Sequence, residues 1–154
     1  MSLPLDWLVA AVVGLGALAV GVCAHELLHV VPLRLLGADY TVTLLPGEAS
    51  TETPALAALP DALSGGLVRV EVTDLPPDAP EWAVRVAAAL PVVLALPLVL
   101  AAAGVLPDPT ATGDRVGTAL LVAAGASGLP SPADWSVVWH GAAGYRASGA
   151  DPSE

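Results

Sequence analysis

The sequence predicts a membrane protein with an all-α core: three transmembrane helices, a cytoplasmic β-hairpin insertion between the first and second, and a short interfacial helix after the third. Three observations carry this expectation. Of 154 residues 55% are apolar and only 13% charged, and the mean hydropathy is +0.73, above what a soluble domain of this length shows. The apolar residues fall in long runs, and the 15 Asp and Glu lie almost wholly outside them. Between the first two runs, residues 38–80 turn polar and carry two short alternating stretches. The length fits one domain, 1–154, without an internal repeat.

The first span covers about residues 7–33. Trp7 to Ala24 are 18 consecutive uncharged residues, reaching about 27 Å at 1.5 Å per residue, close to the hydrocarbon thickness of a bilayer. The preceding MSLPLD has an acid and no Arg or Lys, so the basic start of a cleavable signal peptide is missing and the segment is expected to be retained. The helix is expected to run through HELLHVV to Pro32, with Gly37 just past its end. In the insertion, 38–75, Tyr40, Val42 and Leu44 alternate with Thr41 and Thr43, and Val68, Val70 and Val72 with Arg69, Glu71 and Thr73. That is the period of half-buried strands, and a hairpin is the economical reading. Its long connection, 46–66, contains PALAALPDALSGG and room for a short helix.

Asp78, with Glu81 three residues on, reads as the start of the second span, 82–106. Arg85 can snorkel to the interface, and Pro91 and Pro97 predict a kink. A short acidic turn leads to the third span, 116–130, which Pro130 and Pro132 end. Trp135 and Trp139 share a helix face and read as an interfacial belt. The tail, 147–154, reads as loose.

Charge restricts the partners. Five Arg, no Lys and a net charge of −10 disfavour nucleic acid held through phosphates. Acidic segments without Lys fit a chain kept soluble in strong salt, so a halophilic source is expected. With the N-terminus outside, three spans place Arg34, Arg69, Arg85 and Arg146 on the cytoplasmic side and Arg115 outside, as the positive-inside bias favours. The expected location is therefore the cell membrane, multi-pass, with the C-terminus cytoplasmic. A single cysteine, Cys23, excludes an internal disulfide and a cysteine-based zinc cluster. It sits 200° round the helix from His25, a position that suits packing better than ligation.

The chemistry concentrates in His25-Glu26-Leu27-Leu28-His29. On a helix two histidines four residues apart differ by about 40° of rotation, so both can ligate one Zn2+. Glu26 then stands beside the open coordination position, where it can move the protons of a hydrolysis. Random placement of three His and six Glu gives this pattern on the order of 0.002 times. The plainer reading is of buried polar residues bonding one helix to another, at a cost in lipid that three ionisable groups make high. A catalytic zinc needs a third protein ligand. Asp134 is the leading candidate: it follows Val116 by the same 18 residues that separate His25 from Trp7, which places both at one depth if both spans start at the outer face. Ser131-Pro132-Ala133-Asp134 is equally a capping box, and His140 is the rival ligand.

HELLH at the end of an apolar span, a β-containing insertion, a second span bearing prolines, and a third leading into a Pro-rich turn with an Asp resemble the site-two-protease group of intramembrane zinc peptidases. The likeness is nearest to its small zincin-like membrane members and covers most of residues 20–140. It implies a zinc metalloendopeptidase in the membrane lipid, cutting a membrane-anchored protein substrate, with His25, His29 and Asp134 as ligands and Glu26 as catalytic base. The larger family carries an Asn-Pro element before a Leu-Asp-Gly ligand motif; here GLPSPADW keeps the prolines and Asp134 but has neither the Asn nor the Gly. Two alternatives stand beside the peptidase, a non-catalytic membrane scaffold with a structural or vestigial metal and a soluble zincin on a signal anchor. The prolines of the second span would open a substrate groove or merely be tolerated in lipid. The hairpin would offer an edge to an extended peptide or merely cover the site.

Overall fold

The computed structural model describes residues 4–44 and 68–143. The chain divides into two compact units, Met1–His25 with Pro91–Leu129 and Glu26–Leu90 with Pro130–Glu154. The division passes through one continuous helix, α1 (Leu5–Leu35).

α1 carries a stretch apolar enough to cross a membrane, and only 6% of its most apolar 18-residue window is buried. An apolar helix with most of its surface uncovered by protein suits lipid on its outer face. Pro32 does not end it, contrary to the expectation: the helix runs one turn further, to Leu35. Both costs of a helical proline, the lost N–H bond and the ring's clash with the carbonyl four residues back, fall on the turn before it, so its own carbonyl still accepts from Leu36 N at 2.9 Å. The stop comes at Gly37, whose φ of 71° is the left-handed region that glycine enters without strain. Ala38 N donates to Leu33 O and Gly37 N to Arg34 O, the Schellman closure of a helix end.

In the first unit Gly14 of α1 lies against Ala119, whose Cβ is 3.1 Å from where a glycine side chain would begin. Arg115 stands 4.8 Å over the Trp7 ring and 3.4 Å from the Asp6 carboxylate; all three are exposed, so the ion pair adds little stability. Asp108 caps the short helix Pro109–Thr112. The Thr110 hydroxyl and then the Thr110 amide donate to its carboxyl and hold it below the usual carboxylate range.

The second apolar run is a composite of α2 (Glu81–Ala89), a 3-10 segment (Leu90–Ala95) and α3 (Leu96–Ala102). The tighter turn sits at Pro91, which fits the expected interruption: a proline removes the α-helical bond from its nitrogen. The run stops at Ala102 rather than residue 106, because the chain turns at Gly104, whose N bonds back to Ala101 O. Its start also differs from expectation. Pro80 occupies the N-cap with no side-chain cap, while Asp78 lies in the turn where Ala79 N donates to Pro76 O. The first free amides of α2 come after Asp78, out of its register.

The expected third span, 116–130, and the short helix expected after it both appear as helices, divided where Pro130 and Pro132 predict the break. After α4 (Pro109–Thr112) come α5 (Arg115–Ser127), capped by the Asp114 carboxylate, and α6 (Pro132–His140). α5 has 13 residues, about 20 Å, which is short of a bilayer. Among the described residues two helical stretches, Leu5–Leu35 and Glu81–Ala102, are long and apolar enough to cross a membrane, and a third exists only if α5 and α6 count as one broken span.

In the second unit β1 (Asp39–Leu44) and β2 (Val68–Asp74) pair antiparallel, with Tyr40 opposite Val72, Val42 opposite Val70 and Leu44 opposite Val68. These are the residues whose alternation predicts the hairpin. In the same unit α2 packs on α6 through the buried Val84, Ala88 and Val137, flanked by Leu36, Leu75 and Ala79. The expected helix within 46–66 and the loose tail 147–154 lie outside the described residues.

Candidate metal centre

His25 and His29 stand one turn apart on α1 and are each only 7% exposed. Burial at that depth demands partners for the imidazole nitrogens, and main-chain carbonyls supply them. His25 Nδ1 donates to Ser127 O at 2.7 Å, and His29 Nδ1 donates to Ala87 O at 2.9 Å. A carbonyl only accepts, so in both rings the Nδ1 bears a proton. This is the arrangement by which an outer partner fixes the tautomer of a ligating histidine, with Nε2 turned to the metal.

Asp134 opens the first turn of α6, and there the two roles weighed for it coexist. Its Oδ2 accepts from Ser131 N at 2.7 Å, while its amide donates to Ser131 Oγ at 3.1 Å, completing the capping box. Its other oxygen, Oδ1, lies 3.1 Å from His29 Nε2, with the carboxylate side chain 13% exposed. One oxygen closes the helix and the other faces the histidine.

Candidate ligand atoms of His25, His29 and Asp134 all lie within 4.8 Å of one another, the one such group of three among the described residues. Two donors of a tetrahedral zinc, each about 2.0–2.2 Å from it, are roughly 3.3 Å apart. The spacing between His29 and Asp134 is already close to that. With Nδ1 engaged by the Ala87 carbonyl, Nε2 is the His29 nitrogen that faces the Asp134 oxygen, so the two can share one cation. Two imidazoles and a carboxylate are a donor set that zinc takes in open, catalytic sites. The residues present therefore fit the ion.

Glu26 follows His25 on α1 and is half-buried. It lines a cavity of about 790 Å³ together with His29, Leu33, Asp134 and the stretch 69–75 that contains most of β2. The rival ligand does not join: His140 ends α6 exposed, outside the group of three. Pro91 is fully buried, and neither it nor Pro97 lines this cavity. Trp135 and Trp139 stack with ring centres 6.2 Å apart, in keeping with one helix face.

Nothing in the sequence marks the Ser127 and Ala87 carbonyls, since a main-chain acceptor leaves no trace in residue type. Asp134 was legible for an incomplete reason. The equal count from Trp7 and Val116 assumes a straight helix, yet α5 stops at Ser127 and Asp134 belongs to α6. No family model, no curated protein and no solved structure matches this chain.

Proposed function

We propose that the chain is a membrane-embedded zinc metallopeptidase that hydrolyses a peptide bond in a membrane-anchored protein substrate, of the site-two-protease kind that its motifs resemble. The observation that carries the reading is the grouping of His25, His29 and Asp134, with Glu26 and two of the three on one cavity. Zinc, when bound, supplies a Lewis acid for the substrate carbonyl and lowers the pKa of a water. The chain does the rest. Ser127 O and Ala87 O hold the two rings with Nε2 as the ligating atom, and Ser131 N holds the Asp134 carboxylate by the oxygen opposite to the ligating one. Glu26 takes a proton from the attacking water and returns it to the departing nitrogen, so the new amine leaves uncharged. A scaffold with a structural metal has no use for a carboxylate in that place, which favours the enzyme. β2 along the cavity wall gives an extended chain a place to lie.

The test is cleavage of membrane-anchored peptides by zinc-loaded protein in liposomes. The reading expects a new N-terminus, lost on chelation and restored by zinc; protein that holds zinc and cuts none of a broad peptide panel returns the site to a structural metal. In the same reading the arginines orient the chain with its N-terminus outside and its C-terminus cytoplasmic, and α5 with α6 forms the third, broken span. Labelling of single cysteines, after removal of Cys23, is expected to find position 50 cytoplasmic and position 111 outside. The reverse pattern would reject the orientation and leave the site untouched.

A further inference from the structure

We propose that Gly21 is a positioning residue of the metal centre, its missing side chain being what lets the Ser127 carbonyl reach His25. The inference rests on His25 as a ligand. Gly21 precedes His25 by one turn of α1, so the two share a helix face, and both meet the same residue. The Ser127 carbonyl takes the proton of His25 Nδ1 at 2.7 Å, while the Ser127 side chain lies over Gly21. A Cβ on Gly21 would collide with Ser127 Oγ and lie 2.7 Å from its Cβ, closer than side-chain atoms come.

Neither partner has room to yield. Ser127 is 4% exposed, and its hydroxyl donates to Ala123 O at 2.8 Å, which fixes its rotamer. Behind it Gly128 is pressed on the end of the 3-10 segment, where a Cβ would lie 2.7 Å from Ala95 Cβ. The end of α5 is thus wedged between α1 and Ala95. A methyl at position 21 pushes Ser127 off α1, and the first thing lost is the hydrogen bond that holds the His25 proton on Nδ1. Gly16 lies on the same helix with nothing within 4 Å of the place of its Cβ, so it serves as the control for a glycine that only tolerates helix.

The test uses the full chain. Gly21→Ala is expected to weaken zinc binding by about 10–100-fold, the usual effect of losing an outer partner. In the metal-free protein it is expected to abolish the hydrogen-bonded Nδ1–H resonance of His25. Gly16→Ala is expected to change neither. Gly21→Ala combined with Ser127→Gly moves the space across the contact and is expected to restore both. Wild-type affinity and an intact His25 resonance in Gly21→Ala would overturn the proposal. So would a folded double variant that lacks wild-type zinc affinity and the His25 resonance, a comparison with wild type that stands even where Gly21→Ala alone does not fold. Wild-type protein that takes up no zinc would defeat the metal reading instead, and the metal-free resonance would still decide the role of Gly21.

Discussion

Glu26→Gln is expected to keep the zinc and to lower hydrolysis by at least about 10²-fold, the effect of removing a positioned general base. Glutamine preserves the size and most of the packing of the half-buried Glu26, and Glu26 is not among the three grouped ligands. What disappears is a basic oxygen on the wall of the cavity. Metal content and cleavage, measured on the same preparation, separate the two effects. A variant that holds zinc and cuts as fast as wild type would remove Glu26 from the chemistry. A variant that loses zinc would show that Glu26 supports the centre itself.

Asp134→Ala carries the second large effect. The substitution removes both oxygens of a carboxylate that caps α6 with Oδ2 and faces His29 Nε2 with Oδ1. Loss of the cap alone costs about 1 kcal/mol of stability. Loss of a ligand is expected to lower zinc affinity by more than the roughly 100-fold that an outer partner commands, and activity with it. Ser131→Ala separates the roles, since it removes the other half of the capping box and leaves the carboxylate. It is expected to show the stability loss with the metal retained, by thermal unfolding and zinc titration in parallel. Equal zinc affinity in wild type and Asp134→Ala would make the carboxylate a cap only.

The sequence announces most strongly what local spacing decides. The i, i+4 histidines need only a helix to converge, and α1 provides it. The strand pairs Tyr40 with Val72 and Val42 with Val70 follow from the period of two that both stretches carry. Element ends are less visible, because they depend on which amides are already engaged. Pro32 is carried inside α1, and Asp78 sits too early to cap α2. The third span, expected to stop at Pro130 and Pro132, stops slightly sooner, at Ser127, because Gly128 is packed on Ala95. The main-chain acceptors for the two histidines, and the glycine that admits one of them, belong to tertiary contacts between residues far apart in the chain, 102 positions for His25 with Ser127 and 58 for His29 with Ala87. No spacing rule reaches that far.

The central claim is that His25, His29 and Asp134 hold a metal, and the most direct test is metal content of the purified wild-type chain beside His25→Ala after both are supplied with zinc. The expected result is one zinc per wild-type chain and none retained by the variant. A wild-type chain that folds, stays in the membrane fraction and remains metal-free with zinc in excess would contradict it.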